Sequence, residues 1–315
     1  MIVTLTPNPS IDRAITIDAL TRGEVLRATS SRVDPGGKGL NVSRAVAAMG
    51  GATRAVLPSG GLEGGLLEAL CRAASVPVVA VPIHGSVRMN ISVLEPDGTT
   101  TKLNEPGPLL DPAEVDALIE NALADVPSGG WLSGGGSLPL GAPEDFYGRL
   151  VRGAHERGIR VAIDTSGSPL AAAVDAQPTL IKPNRDELGE LVGRDLLTLG
   201  AVLDAAQALQ RGGVDLVAVS LGRDGALLVA ETGTWHATAA AAEVVSTVAA
   251  GDCMLAGFLF ALGAGRAPQD ALAEGVRWGT AAVALPGSQV PAPADVRDVG
   301  VTVSSSPDRE LPLAD

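Results

Sequence analysis

Short apolar runs of strand length alternate with longer segments of helical periodicity along most of this 315-residue chain, and no other feature limits its fold as much. Runs rich in Val, Ile and Leu at residues 2–5, 53–57, 78–83, 131–132, 160–164, 179–182, 216–220 and 226–230 read as strands. Apolar spacing of three and four predicts helices over 41–49, 64–74, 112–123, 144–157, 185–192, 199–211, 252–262 and 268–284. Asp111-Pro112 opens one of these with an N-cap acid and a proline at the first helical position. Such alternation predicts an α/β fold, a mainly parallel central sheet with helices on both faces. Apolar residues make up 46% of the chain and aromatics only 2%, so Ala, Val and Leu must fill the core. Segments 11–35 and 84–104 break the rhythm and read as extra strands outside the main sheet, one small lid reached by two excursions. Asp97-Gly98 marks a hairpin within the second. The polar, proline-containing stretch 304–315 is expected to fray.

The charge balance, 23 Lys and Arg against 36 Asp and Glu, gives a formal net charge of −13. An acidic surface of this kind argues against nucleic acid or an anionic membrane as partner. A small anionic substrate then needs local basic residues. Cys71 and Cys253 offer neither a disulfide framework nor a CxxC site, which points to a reducing compartment. The N-terminal segment lacks a basic region, and the longest apolar stretch, 253–265, falls short of the ~20 residues that span a bilayer. A cytoplasmic location is therefore expected. His84, His155 and His236 are scattered, without zinc-ligand spacing.

The chemistry concentrates in a few motifs. In Ser246-Thr247-Val248-Ala249-Ala250-Gly251-Asp252, small residues lead into an acid at the start of an apolar helix. Free amides at a helix N-terminus bind anions, and an acid beside them can accept a proton, which is the equipment of phosphoryl transfer. Gly36-Gly37-Lys38-Gly39-Leu40-Asn41 is either a second anion site or an ordinary glycine turn with a solvated lysine. It is not a Walker A loop, and GxGxxG is absent. Arg88 and Asn90, two apart, share one strand face, which either binds a phosphate and a hydroxyl or is a plain exposed edge. Asp12 follows the first strand, where α/β proteins bind ligands, or it is a turn acid. Within Lys182-Pro183-Asn184-Arg185-Asp186-Glu187, Asn184 and Glu187 can arrange hydrated Mg²⁺, or Asn184 simply caps a helix. Ser220-Leu221-Gly222-Arg223-Asp224-Gly225 approaches a nucleotide or makes a tight turn.

In their order and spacing these segments resemble the ribokinase/phosphofructokinase-B family of sugar kinases over about residues 1–290. Thr6-Pro7-Asn8-Pro9-Ser10-Ile11-Asp12, Arg88-Met89-Asn90, the run from Asp97 to Asn104 and Ser137-Leu138-Pro139 are similar to its hexose-phosphate branch, the fructose 1-phosphate kinases above all. The resemblance implies a single ribokinase-like domain, 1–315, with the small β-sheet as lid, and allows a homodimer through that lid. It implies ATP with Mg²⁺ as donor and a phosphosugar as acceptor: fructose 1-phosphate phosphorylated at its 6-hydroxyl, with tagatose 6-phosphate and fructose 6-phosphate as alternatives, and a non-catalytic sugar-phosphate sensor as a further one. Asp252 would be the base, and the amides of Ala250, Gly251 and Asp252 the anion hole. Asp12, Gly37, Asn41, Asn90 and Ser137 would hold the sugar, Lys38 and Arg88 its phosphate. Lys182, Asn184, Ser220, Gly222, Gly225, Ala249 and Gly251 would line the nucleotide site, with Asn184 and Glu187 reaching Mg²⁺ through water. The family usually has glycine where this chain has Ala249; a positive φ there would strain the alanine by ~1 kcal/mol.

Overall fold

The computed structural model describes residues 1–124, 126–241 and 243–314. Ten strands form one sheet, in the spatial order Thr302–Ser304, Gly233–Thr238, Ala226–Ala230, Leu216–Ser220, Leu180–Ile181, Arg160–Asp164, Trp131–Gly135, Ile2–Leu5, Thr53–Ser59, Val78–Pro82. From Leu216–Ser220 to Val78–Pro82 every pairing is parallel, and the three strands at the other edge are antiparallel.

The period-two alternation of a strand sends successive side chains to opposite faces. Val3, Leu5, Leu132, Ile163, Ile181 and Val217 meet one core layer, under helices Pro112–Leu123, Phe146–Glu156 and Leu199–Arg211. Ile2, Trp131, Ala162, Leu180, Ala218 and Leu228 meet the other, under Lys38–Ala48, Ala250–Gly263 and Pro268–Val283. Helices cover both faces, so the central strands are mostly apolar, with a few buried polar residues such as Thr4 and Ser133. The second face is rich in alanine and takes the helix Ala250–Gly263, apolar except for Asp252 in its first turn, close against it, with Pro268–Val283 on top. At Gly257 a Cβ would stand 2.8 Å from the Glu274 carbonyl, so these two helices touch backbone to backbone.

A separate sheet, ordered Ser30–Gly36, Ser10–Thr16, Arg88–Leu94, Thr100–Asn104, is built from the two excursions that break the alternation. It is seated on the body through Ile11, Leu40, Leu57, Leu67 and Val87. Asp12 lies on its strand Ser10–Thr16, in register with Asn90, and not at the end of the first main-sheet strand where the sequence suggested. Residues 304–314 are not frayed. Leu311 and Leu313 pack against the core, and main-chain bonds join this stretch to residues 197–200. Residue 315 lies outside the described residues.

Candidate active site

In a parallel sheet with helices on both faces, carboxyl ends of strands and amino ends of helices meet at one edge, where ligands bind. Here strand ends deliver Asp164, Lys182 and Ser220, while three helices starting at Lys38, Arg185 and Ala250 deliver Lys38 and Asn41, Glu187, and Asp252. Each helix contributes the positive end of its dipole.

Asp252 is the centre of this arrangement. It is buried, and its Oδ2 accepts a 2.8 Å hydrogen bond from Asn41 Nδ2. The buried Arg44 donates to Asn41 Oδ1 at 2.8 Å, which turns the amide nitrogen toward the carboxylate. Burial, and then the nearby charge of Asp164, push the Asp252 carboxyl up to about 6, despite the opposing Asn41 bond and the two lysines. Asp164 takes Lys38 Nζ at 2.8 Å on one oxygen and Lys182 Nζ at 3.1 Å on the other. Burial would raise its carboxyl, but Lys182 and Lys38 together hold it below the ordinary carboxylate value. Burial likewise works against the Lys38 ammonium, yet Asp164 and Glu187, the latter at 3.5 Å, raise it above the usual lysine range.

The helix beginning at Ala250 is entered through Ala249 at φ 63°, ψ 0°, the left-handed region that the replaced glycine would occupy without strain. The segment before it is anchored: the amides of Val245 and Ser246 donate to the Val283 carbonyl, and Ser246 Oγ donates to that of Gly287 at 3.0 Å. The amides of Gly251 and Asp252 lack intrahelical acceptors, as at any helix start. Ala250 differs: its amide makes a long 3.4 Å bond to the Thr247 carbonyl. A Cβ on Gly251 would lie 3.4 Å from Lys182 Nζ, which places that ammonium beside the start of the helix.

Asn184 is a helix cap, and both partners of the capping box are formed: its side chain accepts from Glu187 N at 2.7 Å, and Glu187 Oε2 accepts from Asn184 N at 2.8 Å. The remaining oxygen of Glu187 faces Lys38. Asn184 pairs with Ser220 through a parallel bridge, so the two loops expected at the nucleotide are neighbours. The turn reading of the second loop holds too: Gly222 and Gly225 have φ of 59° and 85°.

Around the small sheet, Asp12 Oδ1 accepts from Ser10 Oγ at 2.6 Å and from Asn90 Nδ2 at 3.1 Å. A Cβ on Gly36 would sit 2.2 Å from the Asp12 carboxylate, so any larger residue there would displace that side chain. Gly37 starts the helix Lys38–Ala48 at φ 123°. Arg88 donates to the carbonyls of Glu105 and Asn8, and Asn8 Nδ2 donates to Ser137 Oγ at 3.3 Å. Lys38 and Arg88, expected at one phosphate, thus stand in different hydrogen-bond networks. Asn90 Oδ1 is buried without a partner among the described residues.

The sequence reading missed Asp164 and Arg44. Asp164 ends a predicted strand, the position argument applied to Asp12, and Arg44 lies one helical turn beyond Asn41. Both Asp164 oxygens carry lysine ammoniums and Glu187 Oε1 lies 3.5 Å from Lys38 Nζ, so these carboxylates reach Mg²⁺, a hard cation that keeps its waters, only where water bridges or Lys38 moves aside. Convergent helix amides and two lysines beside a near-neutral carboxylate can stabilise an anion and take up a proton.

Residues 5–295 match the pfkB family of carbohydrate kinases. A 1-phosphofructokinase of Rhodobacter capsulatus is 39% identical over 263 residues, 82% of this chain and 83% of that protein. A 1-phosphofructokinase of Haloferax volcanii is 38% identical over 300 residues, covering 95% of both. The crystal structure of phosphofructokinase-2 from Escherichia coli in complex with fructose-6-phosphate superposes with a TM-score of 0.88, at 33% identity, over 94% of this chain and 96% of that one. On the fold, the motifs and these matches, the chain belongs to the pfkB family of carbohydrate kinases.

Proposed function

We propose that the chain transfers the γ-phosphoryl group of ATP to the 6-hydroxyl of fructose 1-phosphate, giving fructose 1,6-bisphosphate and ADP. The observation that carries this reading is Asp252, a buried carboxylate near 6 on a helix N-terminus. As the hydroxyl oxygen attacks phosphorus in line and the bond to the ADP oxygen breaks, Asp252 takes the hydroxyl proton. The amides of Gly251 and Asp252, with that of Ala250 once its long bond yields, spread the charge of the transferring group, assisted by Lys182. Asp12, Gly37, Asn41, Asn90 and Ser137 orient the sugar and Arg88 neutralises its phosphate, while Lys38, paired with Asp164 and Glu187 beside Asp252, faces the transferring phosphoryl group instead. Ser220, Gly222, Gly225 and Ala249 line the nucleotide site.

Asn184 and Glu187, through water, would hold Mg²⁺, which screens nucleotide phosphate charge when bound. The small sheet serves as the lid, and an exposed Leu103 at its edge supports pairing of two copies through it. Cys71 and Cys253 are free and buried, in keeping with a reducing compartment. Among the described residues no helix is long and apolar enough to cross a membrane.

The likeness to an enzyme solved with fructose-6-phosphate supports a second reading, the same transfer to that sugar. ADP release measured on fructose 1-phosphate, fructose 6-phosphate, tagatose 6-phosphate and unphosphorylated sugars decides between them. The highest kcat/KM on fructose 1-phosphate is expected. A preference for another phosphosugar overturns the substrate and keeps the chemistry, whereas binding without turnover identifies a sensor.

A further inference from the structure

Residues 308–314 run along the start of the helix Leu199–Arg211 and finish between two loops. Gly200 N donates to the Arg309 carbonyl, Leu199 N to that of Leu311, and Leu313 N to that of Leu197, each at 3.0 Å. Arg309 holds both oxygens of Asp204, at 2.8 and 2.9 Å. A Cβ on Gly200 would stand 2.7 Å from the Arg309 carbonyl oxygen, so the segment lies directly on the helix. At its far end, Ala314 makes two bonds in opposite directions. Its amide donates to Asp224 Oδ2 at 2.8 Å, and its carbonyl accepts from Arg185 Nη1 at 2.9 Å. Asp224 belongs to the turn of the loop 220–225, and Arg185 is the first residue of the helix capped by Asn184. One residue thus ties together the two loops that also meet at the Asn184–Ser220 bridge.

We propose that residues 309–314 form a strap that fixes the spacing of the two nucleotide-binding loops, with Asp224 as its positioning residue; this rests on reading 182–187 and 220–225 as the nucleotide site. The helix contacts and the buried faces of Leu311 and Leu313 anchor the strap, and the Ala314 bonds transmit that anchorage to the loops. The strap touches neither the small sheet nor Asp252 in the bonds described above, so its effect falls on the nucleotide and not on the sugar.

The test compares wild type with Asp224→Ala, Asp224→Asn and a chain stopped after Leu313. The last removes the clamp and leaves Leu311 and Leu313 in place. Steady-state kinetics with Mg²⁺–ATP and fructose 1-phosphate are paired with calorimetric titration of Mg²⁺–ATP. Asp224→Ala and the shortened chain should raise KM and Kd for ATP by about three- to tenfold, the scale of one hydrogen bond to a charged group partly replaced by water. The sugar KM and kcat should stay within twofold, and Asp224→Asn, which keeps an acceptor oxygen, should stay near wild type. Unchanged ATP constants in both disrupted variants, or parallel rises for both substrates, overturn the strap. Wild type that fails to bind Mg²⁺–ATP overturns the nucleotide reading of these loops, and the strap with it.

Discussion

Replacing Asn41 by alanine should move the acid limb of the pH–rate profile upward. The Asn41 amide donates to the ionised form of Asp252 at 2.8 Å, so it lowers a carboxyl that burial and Asp164 have raised to about 6. Losing a bond to a charged group costs about 1.5–3 kcal/mol, and one pKa unit corresponds to about 1.36 kcal/mol, so complete loss is worth about one to two units. Water entering the vacated space recovers part, which leaves a shift of about one unit. A base titrating near 7 is about half ionised at pH 7 and about one-tenth ionised at pH 6, against about nine-tenths and one-half in wild type. The kcat/KM of Asn41→Ala should therefore fall about twofold at pH 7 and about fivefold at pH 6 beyond a pH-independent factor for weaker sugar binding, and meet wild type by pH 9 apart from that factor. Following kcat/KM by ADP release from pH 5.5 to 9 reads the carboxyl of the free enzyme, and weaker sugar binding enters only as the constant factor. An acid limb that stays in place, or moves to lower pH, refutes the assignment of that limb to Asp252.

Asp164→Asn should act in the opposite direction, because the Asp164 charge is one of the groups that raise Asp252. Its acid limb should move down, and because Lys38 and Lys182 lose the carboxylate between them, thermal or denaturant unfolding should show a loss of about 3–5 kcal/mol. Ala249→Gly relieves a left-handed alanine at φ 63° and should gain about 0.5–1 kcal/mol, read as a rise in Tm of about 1–3 °C.

The parallel sheet was legible because its strands are buried on both faces and so stand out as apolar runs, and helix 199–211 was read to the residue for the same reason on one face. The helix Gly167–Asp175 was missed because Ser166-Gly167-Ser168-Pro169 has the composition of a loop, though Gly167 turns at φ 63° and the proline sits in the first turn. Strand Gly233–Thr238, with Gly, His and Thr in six residues, carries its apolar pattern only through pairing with its neighbour. The tail misled because Ser, Pro and Asp dominate it, while Leu311 and Leu313 alternate into the core. In the site, Asp252, Lys38, Asn41 and Glu187 were legible from motifs and do converge. Asp164 was not: its place at the end of a predicted strand was the only mark, and the two lysines that close on it are distant in the chain. Asp12 was found for the wrong reason: its place is set by pairing with Asn90, a contact across 78 residues.

The most direct test of the account is turnover by Asp252→Asn with Mg²⁺–ATP and fructose 1-phosphate. The substitution keeps the shape of the side chain and removes its ability to take up a proton. A general base is worth about 10²–10⁴-fold, so kcat should fall at least 100-fold while calorimetric Kd values for ATP and sugar phosphate stay within a few-fold. Turnover within a few-fold of wild type would contradict the central claim that Asp252 accepts the proton in phosphoryl transfer.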